Sequence, residues 1–449
     1  MPTTKQMNIS KVNNLLDVFF LQYDKQKNNN SLFLNSIKKD SKSYSWSETK
    51  NSILKLENYL RKYISNGDRC LLVSENRPEW LISDLAIMLS GGITVPSYTT
   101  YTEKDYEYIV KDCEPTVVIV SNENLFKKLK NIIKNNNFIK KVILFDLIEK
   151  NNHLPESIFL KDILKENYIE TQKNNIQLNR KDLACIIYTS GTGGNPKGVM
   201  LSHGGILNNC EGSINLIEPL LSKKTRFLTW LPLSHSYEHT VQFIQIAVGA
   251  KIYYAESIDK LILNMGKSRP EIMTAVPRFY QNLYQKINTN FKKQTGLKKK
   301  LIDLTITLGR KKLNKENMSF REKIGNVICN LLVRRKIKKQ FGGSLKAFVS
   351  GGGALDQEIG TFLNAIGLPT LQGYGLTEAS PVVSCNPIND IRVDTVGPPF
   401  KGNEVKIASD GEILVKGENV MLGYWNQPEE TKNTIKEGWL YTGDIGKFN

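Results

Sequence analysis

Residues 188–201 read Tyr-Thr-Ser-Gly-Thr-Gly-Gly-Asn-Pro-Lys-Gly-Val-Met-Leu. Three hydroxyls (Thr189, Ser190, Thr192) and three glycines (Gly191, Gly193, Gly194) fall within six residues, and Lys197 follows them. Glycines let a backbone approach an anion with its N–H groups pointing inward, hydroxyls add donors, and a lysine adds positive charge. That combination suits the phosphates of a nucleotide. A plain flexible turn is the competing reading, but loose turns rarely stack hydroxyls and a lysine behind an apolar run such as 183–187. A Walker P-loop is excluded, because that motif needs Gly-Lys followed by Ser or Thr at a helix start. Here Pro196-Lys197-Gly198 leads into residues 199–201, which read as a strand.

A second constellation, Gln372-Gly373-Tyr374-Gly375-Leu376-Thr377-Glu378, sets an aromatic between two glycines, which release the backbone and leave the Tyr374 face free to stack on a planar base. Glu378 beside a triphosphate makes sense with a cation between them, so it is a candidate Mg²⁺ ligand; a solvated glutamate at a helix start is the bland alternative. Near the end, Tyr441-Thr-Gly-Asp444 offers a carboxylate able to accept both hydroxyls of a ribose, although Gly-Asp pairs are also ordinary turns. In residues 231–238, His235 follows a proline and a short apolar run. His203 and His239 read as ordinary structural histidines.

Together these stretches resemble the adenylate-forming enzymes, the acyl-CoA synthetase and luciferase superfamily, and within it the long-chain-fatty-acid–CoA ligases. The resemblance runs from Tyr44-Ser-Trp46 through Asp444 and includes residues 423–431 and 438–439. It implies the α/β large N-terminal domain of that fold, with layered α/β subdomains over 1–392 and a small β-rich subdomain over 393–449. It implies ATP, Mg²⁺ and coenzyme A. In this reading Tyr374 stacks on adenine, Thr377 meets the α-phosphate, Glu378 holds magnesium and Asp444 binds the ribose. Gly351, Gly352, Gly353 and Ala354 border the adenine and acyl pocket. His235 sits beside the reacting carboxylate and shapes the acyl site; a base is not needed there, because a carboxylate is already ionised at pH 7. Relatives that activate amino acids carry an Asp after this histidine, whereas Ser236-Tyr237-Glu238 stands here, which favours a fatty acid. Relatives also continue past this Asp into a small domain that supplies an essential lysine. This sequence ends at Asn449, so the expectation is a crippled enzyme without that domain. A fatty-acyl-AMP ligase serving a carrier protein and a non-catalytic ATP- or acyl-binding fragment are the alternatives.

The elements that would position these residues alternate. Residues 70–73, 94–96 and 117–120 read as short strands, with helices over 103–113 and from 76–80 onward. Ser47 is placed as the cap of a helix whose apolar face includes Ile53, Leu56, Leu60 and Ile64. Such alternation predicts layered α/β structure with largely parallel strands. After residue 393 the texture turns to short strands, with Asp410-Gly411 as a hairpin signal.

The 449 residues bury a sizeable core, and 40% hydrophobic with 23% charged residues describe an ordinary soluble protein. No secretory signal and no spanning helix are visible, and six scattered cysteines favour a reduced, cytoplasmic setting. The net charge is +17, and residues 292–340 hold sixteen Lys or Arg against Asp303, Glu316 and Glu322, a surplus of thirteen. With almost no aromatics for stacking, that segment does not read as a nucleic-acid site. Its leucine spacing fits either an ordinary surface helix or a basic amphipathic helix on the inner face of a membrane.

Overall fold

The computed structural model describes residues 7–29, 31–39, 41–149, 154, 156–166, 177–189, 195–222 and 224–449. Strands that are apolar at every position must bury both faces, and layering achieves this. In Arg69–Val73, Cys70 and Leu72 face one core while Leu71 and Val73 face another. Val117–Val120 splits the same way, with Val117 and Ile119 on one side and Val118 and Val120 on the other. In the other large sheet, Phe227, Ile272 and Ala347 turn to the shared core, and Leu228, Met273 and Phe348 turn away from it.

Helices Leu15–Gln26, Trp46–Leu60, Pro78–Leu89, His203–Ile217 and Ser236–Ala247 fill the space between the two sheets. Glu103–Cys113 and Glu123–Lys134 cover one outer face; Pro277–Lys292 and Gln357–Ala365 cover the other. The result is a five-layer α/β stack among the described residues.

The first large sheet runs in the order Val382–Cys385, Thr370–Gly375, Ala347–Ser350, Ile272–Ala275, Arg226–Thr229, Lys251–Tyr254, Leu32–Ser36, Tyr44–Ser45, parallel except at its two edges. The second is parallel from Leu183–Thr189 through Ile93–Ser97 to Ser157–Phe159. Lys197–Ser202 and Gly423–Tyr424 close its edge in antiparallel fashion. A small antiparallel sheet combines Glu404–Ile407, Glu412–Lys416, Trp439–Ile445 and Ile435–Lys436. Its first two strands form the hairpin expected at Asp410-Gly411, with Gly411 at φ +91°, where glycine is favoured.

Local chemistry corrects one helix start. The cap is Ser45, not Ser47, because Glu48 lies three residues after Ser45 and completes a capping box. Ser45 Oγ accepts from the Glu48 N–H at 3.2 Å, and Glu48 Oε2 accepts from the Ser45 N–H at 2.8 Å. The helix ends at Leu60, so Ile64 is buried from the following turn and does not extend the helical face.

Candidate active site

The parallel strands of the first sheet end together, and ligands of open α/β sheets gather at such carboxyl ends. A cavity of about 1170 Å³ opens there. Its polar part is lined by His235, Gly351 to Ala354, Gln372 to Thr377 and Asp444. An apolar arm continues past Leu216 and Ile217 of one helix, Val241 and Ile244 of another, and Phe227 and Ile272 of the sheet.

Gly352 and Gly353 leave the strand Ala347–Ser350 with φ of +74° and +152°, which side-chain-bearing residues rarely adopt. Gly373 and Gly375 serve a different purpose from the one expected. They do not free the backbone; they lie in a strand paired with Val382–Cys385, and a Cβ at Gly375 would collide with the Pro381 carbonyl. Close backbone packing therefore selects glycine on either side of Tyr374.

Tyr374 and Asp444 meet directly, the phenol donating to Asp444 Oδ2 at 2.7 Å. Burial and that hydrogen bond raise the Tyr374 pKa, so the phenol stays neutral as a donor. Thr377 Oγ1 lies 3.0 Å from Ser236 Oγ, joining the turn Thr377–Ala379 that follows Thr370–Gly375 to the start of Ser236–Ala247. His235 caps that helix: its Nδ1 accepts from the Tyr237 N–H at 3.1 Å. Burial holds His235 below the usual histidine range, so it is neutral at pH 7 with Nε2 as the N–H.

Lys197 and Glu378 stand outside the cavity lining, in a second cluster. Lys197 Nζ is 2.8 Å from Glu430 Oε2 and 5.1 Å from the centre of the Tyr424 ring. The Tyr424 hydroxyl donates to Glu378 Oε1 at 2.9 Å. Tyr424, Glu430 and Ser236 were missed as site residues by sequence reasoning. Their contacts span 46, 233 and 141 residues respectively, so no local spacing marks them. Thr189 and Lys197 end and begin paired strands, whereas Ser190, Gly191, Thr192, Gly193 and Gly194 lie outside the described residues.

No group of three or more His, Cys, Asp or Glu side chains able to hold a metal occurs among the described residues. A lone carboxylate such as Glu378 fits Mg²⁺ that arrives on substrate phosphates, since this ion commonly keeps one or two protein carboxylates and takes its other ligands from phosphate and water. All six cysteines are buried and unpaired.

Below the cavity, Glu238 is fully buried and accepts from Thr274 Oγ1 at 2.8 Å, while its Oε1 has no partner. Burial raises it from about 4.5 to about 8, so the carboxyl is protonated at pH 7. A raised pKa contributes stability that is complete below about 4.5 and falls away as pH rises through about 8. Glu238→Gln is therefore expected to flatten the decline of the thermal midpoint between those values. Parallel wild-type and variant curves would mean that Glu238 is ionised in the fold.

The family model for AMP-binding enzymes matches residues 21–425. The chain belongs to that family. Among curated relatives, fatty acyl-CoA synthetase A of Dictyostelium discoideum is 30% identical over 97% of this chain and 68% of its own length. Long-chain-fatty-acid–CoA ligase FadD15 of Mycobacterium tuberculosis is 28% identical over 85% of this chain and 64% of its own. The chain thus spans about two thirds of these relatives. Among solved structures, apo MatB from Rhodopseudomonas palustris superposes with a TM-score of 0.72 at 23% identity, covering 97% of this chain and 76% of that one. O-succinylbenzoate coenzyme A synthetase from Bacillus subtilis, solved with AMP, gives 0.67 at 18% identity, covering 95% and 76%. These likenesses establish the acyl-CoA synthetase type of α/β fold for this AMP-binding enzyme. No helix among the described residues is long and apolar enough to cross a membrane.

Proposed function

We propose that this AMP-binding enzyme activates a long-chain fatty acid. The fatty carboxylate attacks the α-phosphorus of ATP, giving acyl-adenylate and pyrophosphate, and the thiol of coenzyme A then displaces AMP. The observation that carries the reading is the single cavity that joins Tyr374, Thr377 and Asp444 to an apolar arm between two helices. The first step needs charge neutralisation and in-line positioning more than proton transfer. Lys197 and residues 189–194 would neutralise the phosphates, Thr377 would donate to the α-phosphate, and Asp444 would accept from the ribose. Tyr374 would stack on adenine beside Gly352 to Ala354, Gln372, Gly373 and Gly375. Glu378 would hold Mg²⁺, which adds charge neutralisation when bound. Neutral His235 would shape the carboxylate end of the acyl arm. In this reading residues 1–392 supply the layered α/β subdomains, and 393–449 add the small sheet that carries Asp444.

Exchange of labelled pyrophosphate into ATP, driven by a series of fatty acids, tests the first step. Long chains are expected to support exchange and acetate is not, because a buried CH₂ contributes about 0.8 kcal/mol. Exchange indifferent to chain length would remove the apolar arm from the acyl site. Transfer of the acyl group to a carrier protein but not to coenzyme A would overturn the second step.

A further inference from the structure

Helix Phe320–Cys329 runs through the π-turn Asn330–Arg334 into Arg335–Gln340, and this rod carries two apolar stripes. Cys329, Val333 and Ile337, four apart, are buried. Phe320, Ile324, Val327, Ile328, Leu331 and Leu332 recur at i, i+4, i+7, i+8, i+11 and i+12, and all are 44–78% exposed. Scattered apolar side chains on a surface need no explanation, but a continuous row of six does.

The row is flanked by Arg321, Lys323, Arg335, Lys336 and Lys339, all exposed. The segment's acids do not neutralise them. Asp303 is paired with Lys299, Glu322 lies 2.7 Å from Lys311, and Glu316 accepts from Asn314 at 3.0 Å. Beside the row lies a cavity of about 710 Å³ lined by Arg269, Arg335, Lys338 and Lys339, with Asn330 and three glycines and no acid. Arg269 is held in place by donating from Nε to the Gly342 carbonyl at 3.1 Å, and burial holds Lys338 below the usual lysine range. A hollow lined by four cationic side chains and no acid suits an anion such as a phosphate.

We propose that this face docks reversibly on an anionic phospholipid bilayer, with the six apolar side chains at the headgroup–acyl boundary and a headgroup phosphate in the cationic cavity. Protein interfaces are depleted of lysine, whereas an apolar stripe rimmed by Lys and Arg matches a helix lying in a membrane surface. The purpose, collecting a membrane-dissolved fatty acid, rests on the proposed activity; the docking itself does not.

Co-sedimentation of the chain with vesicles of phosphatidylcholine, with and without phosphatidylglycerol, is the test. Phosphatidylglycerol is expected to raise the bound fraction by at least about tenfold at low salt, and high salt to abolish the gain. The triple change Ile324→Glu, Val327→Glu, Leu331→Glu is expected to abolish binding, and Arg335→Glu with Lys339→Glu to lower it about tenfold. Both variants should keep the wild-type thermal midpoint and ATP affinity, which separates lost docking from lost folding. Equal binding to neutral and anionic vesicles, or none to either, overturns the proposal. So does saturable binding of inorganic phosphate without vesicle binding, which would assign the cavity to a free anion. A concentration-dependent dimer that the triple variant abolishes, without vesicle binding, would assign the row to a second copy. Vesicle binding by a protein that fails to bind ATP would overturn only the proposed activity.

Discussion

Lys197→Ala is expected to raise the Kd for Mg-ATP by about ten- to a hundredfold. A hydrogen bond from a charged donor is worth about 1.5–3 kcal/mol, and every 1.4 kcal/mol is a factor of ten. The Lys197 ammonium lies 2.8 Å from Glu430, over the Tyr424 ring. ATP must displace that carboxylate, so Glu430→Gln is expected to do the opposite. The gain is limited, since a half-exposed ion pair contributes about 0.2–1 kcal/mol, which makes the improvement no more than about fivefold. Removing the lysine therefore outweighs removing its competitor, and the double variant should bind nearly as weakly as Lys197→Ala. Calorimetric titration of the three variants decides this. An unchanged Kd in Lys197→Ala would take the lysine out of the phosphate site. A weaker Kd in Glu430→Gln would make Glu430 a support for the lysine, not its competitor.

The legible and illegible parts of this chain divide by the range of the interactions. Doubly buried strands read as continuous apolar runs, so residues 70–73 and 117–120 could be placed almost to the residue. The Asp-Gly hairpin was equally local. The glycines beside Tyr374 were visible, but their reason was not, because the carbonyl that excludes a side chain at Gly375 belongs to Pro381, just before the neighbouring strand. The Lys197 cluster was hidden for a related reason. It forms only when Gly423–Tyr424 pairs with Lys197–Ser202, which carries Glu430 to the lysine across more than two hundred residues. Ser47 against Ser45 was a different failure, in which two serines competed and only the spacing to Glu48 chose between them.

His239 also read as an ordinary residue, and it anchors the largest stability effect expected here. Its Nε2 lies 2.8 Å from Asp84 Oδ2, and their side chains are 1% and 0% exposed, in the core between the two sheets. Trp80 and Phe243 pack against the imidazole, and Cys185 Sγ lies 3.9 Å from Nδ1. Burial opposes the charged ring, but the Asp84 carboxylate and its hydrogen bond outweigh that and raise His239 to about 10. Asp84→Ala strands a buried imidazolium or forces it neutral, and breaking such a pair costs about 3–5 kcal/mol. Replacing both partners, Asp84→Leu with His239→Leu, should cost less than the two single changes summed, because no lone charge remains. The histidine's contribution is complete below its unfolded value near 6.5 and disappears as pH rises through about 10. The gap in thermal midpoint between wild type and Asp84→Asn is therefore expected to narrow from pH 7 to 10. A constant gap, or none at pH 7, would reduce the pair to a neutral hydrogen bond. The pair also holds helix Ser236–Ala247, whose Val241 and Ile244 line the apolar arm and whose N-terminus is capped by His235. A variant that loosens this helix should thus weaken binding of the acyl chain before it weakens binding of ATP.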